Sequence, residues 1–460
     1  MTEASKAAAC NRCQENPGTL DLRGAERVCP QCFRAYVGNK TIKRMEQMQR
    51  ETRNSGSKLP MRPQRYLLAL SCAGASSTAL LNLLHDNLAR QQAPQSAKGV
   101  KGGKGGGQRV RFEIVVAWVD CDLSRPPPVS PSADSEATAE KETQTQTQTE
   151  TEADAAWQRY QARYPSFTFH RIPLSSALSL RTKSIDWSSL PPLNADLTAP
   201  HEQLADLLYT RLATPSSRAD VQRLLVRHLL MDAAVREGCD VLLLGTNTTA
   251  LAELTLSETA KGRGFSLPWQ VNDGPFRLPS FASYLSSGQG EQTTTSTTES
   301  EDEAPSKLSI YHPLREIFRS ELQTYITLTT PPLTDLLPAS TTSPAAGAAV
   351  VSHKDLSIDE VMSRYFAEVE VNYPSVVANV VRTTGKLERP GGAAAEDKKP
   401  IITTADDNTT RSHQKQCGLC GIVLDEVGDA RWRGELGEQA AEVEERRGKL
   451  CYGCSRSVNG

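Results

Sequence analysis

The sequence predicts an α/β protein: a doubly wound parallel sheet, flanked by N- and C-terminal zinc ribbons and interrupted by disordered inserts. Three observations carry that prediction. Short apolar runs alternate with amphipathic stretches in the strand–helix rhythm of a parallel sheet. Four Cys-x-x-Cys pairs stand at the two ends of the chain, Cys10/Cys13 and Cys29/Cys32 at one, Cys417/Cys420 and Cys451/Cys454 at the other, and none between. Long polar segments split the 460 residues, yet strands and helices resume after each, so these segments read as solvated inserts rather than domain boundaries.

The first module covers residues 8–40. Two cysteines three positions apart turn both thiolates toward one tetrahedral ion, and a second pair closes the site. The spacing C-x2-C-x15-C-x2-C fits the zinc-ribbon pattern. Disulfides or redox dithiols would use the same residues. The opening MTEASKAAAC lacks the apolar core of a signal peptide, which favours zinc and a cytoplasmic location. Four-cysteine sites leave no open position for water, so two structural ions are expected. Residues 41–65 read as a basic helical connector. There Lys40, Lys43, Arg44, Arg50, Arg53, Lys58, Arg62 and Arg65 face only Glu46 and Glu51, although the whole chain carries a formal charge of -2. Such a stretch beside a ribbon can track a phosphate backbone; a solvated helix face would carry the same charges.

The α/β domain is expected over residues 66–330. Its first strand is 66–71 (YLLALS), followed by a helix over 78–89 with Leu80, Leu81, Leu84 and Leu88 on one face. Strands follow at 110–119 and 167–172. Helices at 201–212 and 219–237 then lead into a strand at 240–245 (DVLLLG), a helix at 250–260, a strand at 308–311 and a helix at 314–325. Inserts fall at about 91–107, 122–154 and 286–306, where Lys/Gly, Thr/Gln and Ser/Thr runs cannot bury enough surface to order themselves. Residues 331–352 form a linker, 353–389 a helical extension with a helix at 358–370, and 390–412 a second linker. The C-terminal ribbon, 413–460, has the longer spacing C-x2-C-x30-C-x2-C, which leaves room for an inserted helix. No apolar run reaches the ~18 residues of a membrane span.

Ligands of doubly wound sheets bind at the carboxyl ends of the strands. Two loops stand there. The first, Cys72-Ala73-Gly74-Ala75-Ser76-Ser77, opens a helix with small residues and can offer backbone N–H groups to a phosphate, though small residues also serve steric needs at such turns. The second runs Gly245-Thr246-Asn247-Thr248-Thr249.

With the flanking ribbons, these loops resemble the PP-loop tRNA thiolases, proteins of the ATP-pyrophosphatase fold, and among them the second-subunit family of the cytoplasmic tRNA 2-thiolation complex. The resemblance extends over residues 256–269, with LSETAKGRG and FSLPW, and over Pro313-Leu314-Arg315-Glu316. It implies tRNA as ligand, a catalytic thiolase homologue as heterodimer partner, and a ubiquitin-like sulfur carrier upstream. Lys40, Lys43, Arg44, Arg50 and Arg53 then become candidate tRNA contacts, with Lys261 and Arg263 as further candidates at the crevice. The departures point to a degenerate member. Active relatives read SGGxDS, whereas this chain has Ala75 and Ser76 at positions those enzymes charge. The partner's GxNxDDxxE becomes Gly245, Asn247 and Glu253, with Thr249 and Ala250 in place of both carboxylates, and His312 replaces an arginine. Magnesium loses ligands that phosphoryl chemistry needs, which leaves ATP without its usual support. The central cysteines Cys72, Cys121 and Cys239 stand in no Cys-x-x-Cys motif, and no catalytic residue is assigned. The sequence therefore reads as a non-catalytic subunit for wobble-uridine 2-thiolation in cytosolic tRNAs for Lys, Glu and Gln. An active sulfurtransferase using Cys72 or Cys239, or a zinc-ribbon adaptor for proteins, are the alternatives.

Overall fold

The computed structural model describes residues 8–53, 63–70, 74–92, 112–124, 152–281, 307–337, 356–389, 416–424 and 449–459. A hairpin of β1 (Leu20–Leu22) and β2 (Glu26–Val28) precedes helix α1 (Pro30–Arg53). The alternating unit continues with β3 (Gln64–Ala69), α2 (Ala75–Gln92), β4 (Phe112–Asp120), α3 (Glu152–Arg163) and β5 (Thr168–Pro173). After α4 (Pro200–Asp206) and α5 (Pro215–Arg236) come β6 (Val241–Leu244), α6 (Thr248–Ala260), the short α7 (Leu267–Gln270), β7 (Gly274–Arg277) and β8 (Lys307–Tyr311). Helices α8 (Arg319–Leu328), α9 (Ile358–Asn372), α10 (Pro374–Thr384) and α11 (Tyr452–Asn459) complete the described elements. No helix among the described residues is long and apolar enough to cross a membrane.

The expected sheet is present, in the order β5-β4-β3-β6-β8-β7. β5, β4, β3, β6 and β8 run parallel, and β7 adds an antiparallel edge, Phe276 opposite Leu308. That edge strand escapes sequence reading because four residues beginning Gly-Pro show no useful alternation. Chain order reverses direction between β3 and β6, so the crevice of a doubly wound sheet falls at their carboxyl ends.

Alternate side chains along each strand enter opposite layers. Leu67, Ala69, Val115, Ala117, Leu242 and Ile310 pack with α5 and with Cys417, Leu419, Cys451 and Val458. Tyr66, Leu68, Val116, Trp118, Val241 and Leu243 pack with α1, α2 and α8 and with Cys10 and Cys29. Each terminal cysteine module is thus built into one layer of the core. A third cluster, with Leu251, Phe318, Phe366, Val377 and Val381, docks α9 and α10 on α6.

Several boundaries move for identifiable reasons. α1 begins inside the first module, with Pro30 at a position where its missing N–H costs nothing. α5 starts before Ala219 because the Thr214 side chain caps it, accepting from the Ser217 N–H. The helix expected from Leu314 begins at Arg319: residues 312–317 form turns instead, and Glu321 accepts the Phe318 N–H at 2.8 Å. The helix expected over 201–212 ends as a wide turn at Leu207–Arg211. Helix α3 starts inside an expected insert, where Ala156 and Tyr160 supply a buried face. The rest of the three inserts, and the helix expected between the last cysteine pairs, lie largely or wholly outside the described residues.

Candidate metal centres and the switch-point crevice

The two cysteine groups are constructed alike. In each, the first pair sits in a turn closed by an antiparallel bridge, Ala9 with Pro17 and Gln416 with Val423. The second pair brackets a helix start: Cys29 and Cys32 at α1, Cys451 and Cys454 at α11. The Cys29 N–H donates to Cys10 Sγ at 3.2 Å, and the Cys451 N–H to Cys417 Sγ at 3.3 Å. In both groups all four Sγ atoms lie within 4.8 Å of one another. Cys13 and Cys29 are 3.8 Å apart and Cys420 and Cys451 3.9 Å, far beyond a disulfide bond. A tetrahedron with metal–sulfur bonds of about 2.3 Å has edges of about 3.8 Å. The residues therefore fit one tetrahedral ion per module. The second module is fully buried, whereas Cys13 and Cys32 of the first are half-buried.

At the switch point, the loop after β6 meets the first turn of α2. Gly245 is required there, since a Cβ would stand 2.7 Å from Ser77 Cα. Asn247 caps α6 by accepting the Ala250 N–H at 2.9 Å, and its Nδ2 donates to Ser76 Oγ at 2.8 Å. The two loops thus bond to each other across the crevice. Ser77 and Thr78 hydroxyls both donate back to the Gly74 carbonyl at 3.0 Å. Cys72 and Ala73 lie outside the described residues; Gly74, Ala75, Ser76, Ser77, Gly245 and Asn247 come together.

Thr249, Glu253 and His312 are each engaged by other parts of this chain. Thr249 is buried and donates to Glu370 of α9, which also accepts the Ser320 N–H at 2.8 Å. Glu253 pairs with Arg319 at 2.6 Å. His312 is buried beside the crevice, its backbone N–H donating to Asp273 at 2.8 Å and its ring Nδ1 3.1 Å from Thr246 Oγ1. Burial outweighs the pull of Asp273 and lowers the imidazole to about 4, so it is neutral near pH 7. Cys239 is buried just before β6, at the amino end of the sheet, away from the crevice. Cys121 follows β4, half-buried.

The basic candidates separate into two groups. Lys43, Arg50 and Arg53 are exposed along α1, with Lys40 half-buried. Arg44 is drawn inward to Asp273 and also approaches Glu316. Lys261 and Arg263 are corrected: neither lies open at the crevice. Arg263 is fully buried, bonded to Glu258 and Asp220 at 2.8 Å each, and lies 3.7 Å from Cys454 Sγ. Lys261 bonds to Asp359 at 2.7 Å and Asp220 at 3.1 Å. Arg223 joins them, 2.6 Å from Glu258. Burial alone would raise both Asp220 and Glu258. The surrounding cations reverse this, holding Asp220 well below its ordinary range and bringing Glu258 to about 2. The turn carrying Lys261 and Arg263 fits against the last cysteine pair, for a Cβ on Gly453 would stand 2.4 Å from Arg263 Cγ. Spacing alone could not reveal this, because the partners lie on α5, α6, α9 and α11.

Comparison with known proteins addresses the same regions. A family model described as cytoplasmic tRNA 2-thiolation protein 2 matches residues 357–448. A protein of that name from Phaeosphaeria nodorum is 31% identical over 466 residues, covering 99% of this chain and 96% of the relative. One from Sclerotinia sclerotiorum is 34% identical over 376 residues, covering 81% of each. Among solved structures, the U34-tRNA thiolase NcsA from Methanococcus maripaludis with its [4Fe-4S] cluster aligns over 90% of this chain and 95% of its own, at 13% identity and a TM-score of 0.47. The near end-to-end match to the first relative spans both cysteine modules, the sheet and the helical extension, and on that ground the chain belongs to the cytoplasmic tRNA 2-thiolation protein 2 family.

Proposed function

We propose that this chain is the non-catalytic subunit of a cytoplasmic complex that 2-thiolates the wobble uridine of tRNAs for Lys, Glu and Gln. A catalytic thiolase homologue is its heterodimer partner, and a ubiquitin-like protein delivers the sulfur. Family membership supports the pathway. The observation that carries the non-catalytic role is the direct bond from Asn247 to Ser76, at the place where a PP-loop site would receive a pyrophosphate. Thr249, in place of a metal-binding carboxylate, faces Glu370 of α9 rather than the crevice. An active sulfurtransferase that uses Cys239 is the poorer reading, because Cys239 sits at the far end of the sheet; Cys72, the other cysteine such an enzyme could use, lies outside the described residues.

Zinc is the ion we assign to both cysteine modules. The Sγ separations match one tetrahedral centre, whereas a cuboidal iron–sulfur cluster holds its four cysteines on separate irons and hence farther apart. The ions hold the modules folded. Lys40, Lys43, Arg50 and Arg53 on α1 supply phosphate contacts to tRNA, and Arg44 helps fix α1 to the turn at Asp273. Mass spectrometry of proteins copurifying with the tagged chain, together with 2-thiouridine analysis of tRNA from a deletion strain, tests the proposal. A thiolase-like partner and loss of 2-thiouridine are expected. Normal 2-thiouridine in the deletion strain would refute it.

A further inference from the structure

Beside the start of α6 lies a cavity of about 410 Å³, lined by Arg23, Lys40, Arg315, Arg382 and Lys386 and by a single carboxylate, Glu316. These cations come from the β1–β2 turn, α1, the turn after β8, and the end of α10. Two are neutralised from outside the cavity: Arg23 by Glu321 at 2.7 Å and Arg315 by Asp273 at 3.0 Å. The other three have no carboxylate within ion-pair distance among the described residues. Lys40 reaches only the Glu316 carbonyl, at 3.5 Å, and the Tyr36 ring, 5.0 Å from its centroid. Arg382 reaches only the Asn379 side chain, at 3.4 Å. Arg382 and Lys386 are exposed one turn apart, where a helix C-terminus favours cations without neutralising them. Burial and the neighbouring Arg23 charge lower Lys40 from its ordinary value, as expected of a cation awaiting an anion.

We infer that this cavity binds backbone phosphates of RNA, with Lys40, Arg382 and Lys386 as the contacting cations. The inference rests on the tRNA reading above and adds α10, which the basic stretch of the sequence did not include. A phosphodiester backbone suits the layout better than an isolated anion does. Lys43 and Arg50 do not line the cavity, but both are exposed on the same helix as Lys40, three and ten positions farther along α1, so that successive charges can meet successive cations. Such contacts position the RNA without reading its bases.

The test uses the purified full-length chain, titrated with a tRNA transcript over a series of salt concentrations. Arg382→Glu with Lys386→Glu should weaken binding by about tenfold or more and flatten the log–log salt slope by about 0.7–0.9 for each phosphate no longer neutralised. The loss should be equal for tRNAs of different sequence. Arg364→Glu, a single reversal on exposed α9 surface outside the cavity, should leave affinity near wild type, where Arg382→Glu alone should already weaken it. Unchanged metal content and thermal midpoint would establish that each variant is folded. Wild-type tRNA affinity in the double variant would overturn the cavity assignment while leaving the tRNA reading intact. No tRNA binding by the wild-type chain would overturn both. Loss of ATP binding or of copurifying protein partner, with tRNA affinity unchanged, would assign the cavity to a free nucleotide or to a protein and so overturn it as well.

Discussion

Arg263 shows how far a residue's role depends on what folds around it. In sequence it is a cation in a glycine-rich turn. In the structure it is buried between Asp220 and Glu258 and against the last cysteine pair. Removing one partner of a buried ionic cluster leaves the others uncompensated, a loss of roughly 3–5 kcal/mol. Arg263→Met is therefore expected to lower stability by that order in denaturant unfolding. An effect confined to tRNA affinity, with stability intact, would contradict the burial. His312 gives a pH-dependent counterpart. Its folded pKa, about 4, lies below the ordinary 6.5, so the unfolded chain binds the proton more readily and stability must rise with pH through this window. Acidification from about 6.5 to about 4 is expected to remove on the order of 3 kcal/mol through this group. His228 is buried with the same shift and adds a similar loss. His312→Gln should leave roughly half of the histidine contribution, measured as unfolding free energy against pH.

At the scale of elements, the cysteine modules behave as parts of the core. Two ions per chain are expected by elemental analysis of protein prepared under reducing conditions, and zinc should be the metal found. Cys29→Ser and Cys451→Ser should each release one ion. Cys451→Ser should lower the thermal midpoint further, because all four sulfurs of its module are buried and Cys454 lies against the Arg263 cluster. Equal effects, or iron in place of zinc, would count against this construction. Both modules were legible in the sequence because ligand spacing is local. The parallel strands were legible for a similar reason: β3, β4 and β6 each hold an apolar run, Tyr66 to Ala69, Ile114 to Val119 and Val241 to Leu244, as strands buried on both faces must. The edge strand β7 was not, and α10 was expected only as an undivided part of the helical extension over 353–389. Their residues acquire meaning only against β8 and α6, from segments distant in sequence. The crevice divides the same way. Gly245, Asn247 and the small-residue loop could be located from the chain alone. The pairing of Thr249 with Glu370, 121 positions away, and of Lys261 and Arg263 with internal carboxylates could not.

For the whole molecule, the sheet, the two modules and the extension share their cores, and the two loops at the switch point bond to each other. The loops are joined at Ser76 and Asn247, and α9 covers position 249. Restoring carboxylates with Ser76→Asp and Thr249→Asp is accordingly expected to yield no ATP turnover. It should also destabilise the protein, since the second would set a carboxylate against Glu370. A single measurement bears most directly on the non-catalytic role: tRNA-dependent ATP consumption and 2-thiouridine formation by the purified chain, by its thiolase partner, and by the two together with a sulfur source. The chain alone should form no product and consume no ATP above background, and adding it to the partner should raise 2-thiouridine formation. Adenylation of tRNA by the chain alone, abolished by substitution of Gly74 or Ser77, would contradict the account.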